Sequence, residues 1–320
     1  MNTSKKSLEL LIRESSCALV IGVGGGGDVV GALATARFLE FCGLRFHLGG
    51  LPWERFVYDP LPGPRTLLEI EPVRILHPHA WMVNAHTHTH HGIRFTETEM
   101  AALYGCEVLH IDITAGVQGA VAGLEAALDA LAADLIVGID VGGDSLAQGG
   151  EAGLRSPLAD AVMLAALTTL EKRGYHTIWG VFGYGSDGEL TVDEIECALA
   201  RIAQAGGFLG AWALTPQIVN ELADVIEKVP TEASAIPVRC ARGAWGYTGI
   251  RSDERRVKLT PLAALTFYLT PSVVFQTVSR PAQAVAASTS LEDANEALHA
   301  IGIKSELDLE RARAGVFCPA

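Results

Sequence analysis

At 320 residues, 49% of them hydrophobic, the chain is long enough to bury a sizeable core as one large α/β unit or as two domains. Its 24 basic and 37 acidic residues leave a formal charge of −13, which argues against nucleic acid or an anionic membrane as partner, because both demand clustered Lys and Arg. Residues 1–13 lack the apolar region and small-residue cleavage site of an export signal, and no apolar run reaches the roughly 18 residues of a membrane helix, so a cytoplasmic location is expected.

In chain order, an apolar run over 18–23 reads as a buried strand that enters the turn Gly22-Val23-Gly24-Gly25-Gly26-Gly27-Asp28 and then a helix over 29–42. A strand over 45–49 leads into a loop from Gly50 to Arg65 that holds Trp53, Glu54 and Arg55 and is stiffened by Pro52, Pro60, Pro62 and Pro64. A strand over 80–84 precedes a histidine-dense stretch, followed by a helix over 97–104, a strand over 107–113 and a helix over 118–132. The strand over 135–141 ends in a second turn of the same kind, Gly138-Ile139-Asp140-Val141-Gly142-Gly143-Asp144, and a polar, glycine-rich loop runs on to Ser156. Pro157 after Ser156 marks the first position of a helix over 157–173, whose apolar side suits a core or a subunit interface in a homo-oligomer. A strand over 177–182 opens into a third turn, Gly183-Tyr184-Gly185-Ser186-Asp187-Gly188-Glu189, and Thr191 with Glu194 forms the capping box of a helix over 192–204. Helices over 216–227 and 261–268 and a strand over 272–278 complete the reading, with a loop-rich lobe over 231–258 that carries Arg239, Arg242, Arg251, Arg255 and Arg256. This alternation predicts one α/β domain over 1–320 with a doubly wound, mostly parallel, Rossmann-like sheet and helices on both faces.

A strand, a glycine turn and a helix in that order form an anion pocket, because glycine lets the backbone approach a ligand and the helix N-terminus offers N–H groups and partial positive charge. Two such turns point to one crevice for an anionic small molecule, with Gly24, Gly25, Gly26, Gly27, Gly142, Gly143 and Gly183 shaping its walls. Gly22, Gly24 and Gly27 satisfy a dinucleotide fingerprint, but His47-Leu48-Gly49-Gly50 stands where the ribose-binding acid belongs, so a conventional NAD site is disfavoured. Asp28 and Asp144 read either as helix N-caps or, with Asp140, as hard oxygen ligands of Mg²⁺ beside a phosphoryl group. Glu151, Arg155, Ser156, Asp160 and Asp187 are placed to face the same ligand; for Asp160 the alternative is helix-dipole stabilisation. Trp53 with Arg55 reads as a stacking and charge-recognition pair, or as a packed Trp over a Glu54–Arg55 bridge.

Six of the ten histidines fall between His77 and His91. An extended backbone would send His86, His88 and His90 to one face, where they can bind a transition metal, and His88 beside the phosphate turn can act as acid or base. The six cysteines form no C-x-x-C pair, and no G-x-S-x-G elbow is present, so covalent catalysis is poorly supported.

The assembled motifs, Gly24-Gly25-Gly26-Gly27-Asp28-Val29-Val30, Trp53-Glu54-Arg55 with Asp59-Pro60 and Pro62-Gly63-Pro64, Asp140-Val141-Gly142-Gly143-Asp144, and Ser156-Pro157-Leu158-Ala159-Asp160, resemble those of the Domain of Unknown Function 1152 family over most of the chain. The resemblance carries no reaction with it. The residues themselves favour an enzyme of group transfer or hydrolysis acting on a phosphorylated or nucleotide-like metabolite, and leave open a histidine-loop metal hydrolase and a non-catalytic nucleotide or metabolite binder.

Overall fold

The computed structural model describes residues 7–252 and 254–315. Nine strands form one sheet in the order Phe208–Ala213, Leu265–Leu269, His176–Phe182, Leu135–Val141, Cys17–Gly22, Arg45–Gly50, Val108–Ile111, Ala80–Val83, Arg74–His77. The strands from His176–Phe182 to Val108–Ile111 are parallel, and only Leu265–Leu269 and Ala80–Val83 run antiparallel to both neighbours. The result is the expected doubly wound α/β sheet.

The winding positions a crevice. From Cys17–Gly22 the chain moves outward to Arg45–Gly50 and Val108–Ile111, then returns to the other side of Cys17–Gly22 as Leu135–Val141 and continues to His176–Phe182. The strand order therefore reverses between Cys17–Gly22 and Leu135–Val141, and the carboxyl ends of strands at such a reversal diverge to leave room for a ligand. Gly22 is in register with Ile139, and Val23 N donates to the Ile139 carbonyl at 3.0 Å, so the two glycine turns leave the sheet side by side.

Side-chain alternation sends Leu19 and Ile21 into a core with helices Gly116–Leu131 and Pro157–Lys172, and Ala18 and Val20 into a core on the other face with helices Asp28–Phe41 and Pro216–Lys228. The helix Pro157–Lys172 is buried from Pro157 through Thr168 within this chain, which makes its apolar side core. The capping box at Thr191 forms as read: Glu194 N donates to Thr191 Oγ1 at 3.3 Å, and Thr191 N donates to Glu194 Oε2 at 2.7 Å.

Two element readings are corrected. The stretch 261–268, read as a helix, is a 3-10 turn, Pro261–Ala264, followed by the strand Leu265–Leu269, and the stretch 272–278, read as a strand, is the helix Pro271–Thr277. Both are short apolar runs, for which periodicity does not separate a helix from a buried strand. Proline at the first helical position decides the second case. The segment 231–258, read as loop-rich, contains the helix Glu232–Ala241 and a hairpin of Gly246–Ile250 with Arg255–Leu259. Among the described residues no helix is long and apolar enough to cross a membrane.

Candidate functional site

Backbone conformation at the two turns dictates glycine. Gly25 and Gly26 hold φ of 75° and 52°, and Gly26 N donates to the Trp53 carbonyl at 2.8 Å, so the first turn packs directly under the loop that follows Arg45–Gly50. A Cβ on Gly25 would lie 2.8 Å from that carbonyl oxygen. Gly142 and Gly143 hold φ of 127° and 106°, and a Cβ on Gly142 would collide with the Asp187 side chain, so the third turn seats on the second. Gly183, at φ 65°, starts that third turn beneath Pro237. Asp28 joins the first two turns: its Oδ2 accepts Gly24 N at 3.0 Å and Val141 N at 3.4 Å. Asp28 is thus the first residue of its helix, with Gly27 at the N-cap position, and its side chain does not cap the helix.

Between these turns, the Trp53 loop and the hairpin lies a cleft of about 860 Å³. Its floor is carboxylate. Asp140, Asp144, Asp160, Asp187 and Glu189 are all buried, and oxygens of Asp140, Asp144 and Asp160 lie within 4.8 Å of one another, as do those of Asp144, Asp187 and Glu189. Asp144 belongs to both groups. Partners are unevenly shared among them. Asp140 is occupied by its own turn, accepting Gly143 N at 2.9 Å, Ser145 N at 3.1 Å and the Ser145 hydroxyl. Glu189 accepts Arg155 N at 2.6 Å, Ser156 N at 2.9 Å, Arg255 Nη1 at 2.8 Å and the Ser156 hydroxyl. Asp187 accepts Glu189 N at 3.3 Å, Asp144 receives the Ser156 hydroxyl at 3.5 Å, and Asp160 Oδ1 has no partner among the described residues.

Burial, reinforced by the neighbouring carboxylates, holds Asp28, Asp144, Asp160 and Asp187 well above the usual carboxylate range. Burial lifts Asp140 less, to about 6, because its hydrogen bonds favour the charged form. Arg255 offsets Glu189, and the remaining acids of this enclosed volume cannot all ionise without further counter-charge, which protons or a divalent cation can supply. The oxygen-only ligand set, free of imidazole and thiolate, suits Mg²⁺ or Ca²⁺ over a soft transition metal.

The family model described as Protein of unknown function (DUF1152) matches residues 19–314. The chain belongs to that family. No curated protein and no solved structure matches it. The matched span of this DUF1152 chain includes both glycine turns and every carboxylate of the cleft floor.

Of the residues singled out in the sequence, Gly24 to Asp28, Trp53, Glu54, Arg55, Asp144, Arg155, Ser156, Asp160 and Asp187 line the cleft. Several do so in a different capacity. Trp53 is buried, with its Nε1 donating to Glu310 at 3.1 Å, so it is a packed wall. Glu54 forms no bridge with the Arg55 guanidinium; it accepts Thr96 N at 2.5 Å and the Arg55 amide at 3.3 Å, pinning the loop from below. Burial and the nearby Glu97 raise Glu54 to about 7, while burial raises Glu97 to about 8 and lowers His110, 3.3 Å from Glu97, to about 3. Ser156 sits at the helix N-cap position without capping, because its hydroxyl is turned to Glu189; Glu306 caps instead, accepting Leu158 N at 3.0 Å and Ala159 N at 2.8 Å.

Asp140, Gly142, Gly143 and Gly183 lie beneath the lining and shape it. Glu151 is elsewhere, folding its own loop through Gln148 N and Gly149 N, both at 2.8 Å. The histidine stretch does not run extended: residues 84–87 form a turn, only His88–Thr89 is a strand, and His88 Nδ1 lies 2.9 Å from the Thr89 carbonyl. His86, His88 and His90 neither line the cleft nor present three ligand atoms to one point.

Residues not singled out as site residues include Glu189, Arg251, Arg255, Glu306 and Glu310. Glu189 ends the third glycine turn, after Gly183 and Asp187, and the two arginines flank a hairpin tip in the arginine-bearing segment. Glu306 and Glu310 sit on the helix Glu306–Arg313, far along the chain, where no local motif marks them.

Proposed function

We propose that this protein is a divalent-cation-dependent enzyme of group transfer or hydrolysis acting on a phosphorylated, nucleotide-like metabolite. The observation that carries the reading is Asp144: it is common to two buried carboxylate groups, has a single long hydrogen bond of its own, and faces Asp160, whose Oδ1 has no partner among the described residues, beside a glycine turn that opens a helix. Asp144 and Asp160, with Asp187 and Glu189 behind them, hold Mg²⁺; Asp140 braces the turn that presents Asp144. A divalent cation held there would neutralise charge on phosphoryl oxygens and make water more acidic, two of the contributions a metal makes to phosphoryl chemistry. The positive end of the helix Asp28–Phe41 opens on the same cleft and favours the ligand's negative charge.

Thermal melting of the full chain with Mg²⁺ and a panel of phosphate monoesters and nucleotides, coupled to detection of released phosphate, tests the reading. Stabilisation that requires both Mg²⁺ and a phosphorylated compound, and that Asp144→Asn removes, supports it. Phosphate release or transfer with one of those compounds separates an enzyme from a binder, and failure of Mg²⁺ to change the melt contradicts the reading.

A further inference from the structure

We infer that the compound bound here is a diphosphate ester with an apolar or aromatic body, its outer phosphoryl group held between Arg55 and Arg251. This rests on the cation-dependent reading above and sharpens it.

The cleft has poles of opposite sign. Against the carboxylate floor stands a guanidinium roof. Arg55 lies across the first glycine turn, where a Cβ on Gly26 would meet its Cγ at 3.0 Å, and Arg255 lies across the third, where a Cβ on Gly188 would meet its Cβ at 3.0 Å. Arg251 projects from the tip of the hairpin that carries Arg255. Arg255 is matched by Glu189 at 2.8 Å. Arg55 and Arg251 are not matched in this way: among the described residues the carboxylate that each reaches is Glu232, half-exposed, at 3.7 and 3.9 Å, the Arg55 guanidinium also lies over the Tyr58 ring at 5.6 Å, and each has an Nε shielded from solvent with no acceptor there. Two guanidiniums that share one distant carboxylate keep N–H donors without acceptors at the cleft, and guanidinium forks match phosphate oxygens. Burial and the closeness of Arg55 and Arg255 lower the Arg251 pKa against the opposing pull of Glu189 and Asp187.

A monophosphate satisfies one pole. A diphosphate satisfies both, with one phosphoryl group on the floor cation and the next under the roof. The remainder of the ligand meets apolar surface: Val57, Tyr58 and Leu309 line the mouth and are 66%, 50% and 36% exposed. A volume of about 860 Å³ also exceeds what two phosphoryl groups fill and lies in the range of whole small-molecule sites.

Arg251 offers a clean variant. Its φ of 54°, with 57° at Ser252, is a left-handed conformation that glycine adopts more readily, so Arg251→Gly removes the guanidinium while relaxing the turn. Calorimetric titration of the full chain in Mg²⁺ should compare AMP with ADP, geranyl monophosphate with geranyl diphosphate, and inorganic pyrophosphate. At least one diphosphate ester is expected to bind about tenfold or more tighter than its monophosphate, with R251G and R55A each cutting that preference severalfold while the Mg²⁺-induced rise in melting temperature persists. Whether ADP or geranyl diphosphate shows the preference identifies a nucleotide or an alkyl body, and either supports the assignment. Equal affinity for mono- and diphosphates, or a preference that survives R251G, overturns it and leaves the cation-dependent reading standing. Pyrophosphate binding as tightly as both esters overturns the apolar body, and no binding of any phosphate in Mg²⁺ overturns both proposals.

Discussion

The carboxylate of Asp28 accepts the amide of Val141 at 3.4 Å across 113 residues of sequence, and through its second bond, from Gly24 N at 3.0 Å, it stitches the two glycine turns into one wall. Asp28→Asn retains an acceptor oxygen and removes one of the crowded ionisable carboxyls, whereas Asp28→Ala leaves both amides without their acceptor. The alanine variant is expected to lose about 1–3 kcal/mol and the asparagine variant much less, read from urea denaturation midpoints.

The buried acids fix the direction of a pH dependence. Asp140 at about 6, Glu54 at about 7, and Glu97 and Glu306 at about 8 hold protons in the folded state that the unfolded chain has already released. The folded state then binds more protons, so stability falls as pH rises from about 4 through about 8. His110, lowered to about 3, works in the opposite sense, and its contribution is lost as pH falls below its unfolded value of 6.5. Metal-free protein is therefore expected to melt lower at about pH 8 than at about pH 6, with Mg²⁺ flattening the slope by displacing protons from the cleft floor. A metal-free melt that rises between those pH values contradicts the burial of ionisable carboxyls.

Glu189 is the structural hub of the floor. Its loss strands Arg255 and removes the acceptor of two backbone amides and the Ser156 hydroxyl. Glu189→Ala is expected to destabilise the fold by about 3–5 kcal/mol in chemical denaturation, as breaking a buried ion pair does.

Gly25 tests the first turn. Alanine there combines a φ of 75° with a Cβ 2.8 Å from the Trp53 carbonyl, so Gly25→Ala is expected to cost about 1–3 kcal/mol and to weaken ligand binding beyond that loss. Gly43, at φ 92° with open space around its Cβ position, is the control: Gly43→Ala carries only the backbone strain and leaves binding intact.

The parallel core was legible because buried β-branched runs alternate with helical ones, and the crevice because a glycine turn recurs at the ends of two strands that prove adjacent. The elements that escaped are those whose state is set by partners. Leu265–Leu269 lies antiparallel between Phe208–Ala213 and His176–Phe182, and Thr266, Phe267 and Tyr268 favour a strand without naming those neighbours. The same holds for the site. Asp144 and Asp160 sit in recognisable turns, but Glu306 caps the helix at Pro157 from 148 residues away, and only the closed fold brings it there. The histidine stretch misled through the reverse error: its spacing fits one face of an extended strand, while the bond from His86 N to Asn84 Oδ1 at 2.9 Å folds it into a turn.

The most direct measurement is a Mn²⁺ titration of metal-free protein followed by electron paramagnetic resonance, with Mg²⁺ as competitor, on the wild type and on Asp144→Asn. Saturable Mn²⁺ binding that Mg²⁺ displaces and that the asparagine variant loses, while keeping a wild-type melt, is the expected result. Absence of saturable binding in the wild type, or undiminished binding in Asp144→Asn, contradicts a cation site on these carboxylates.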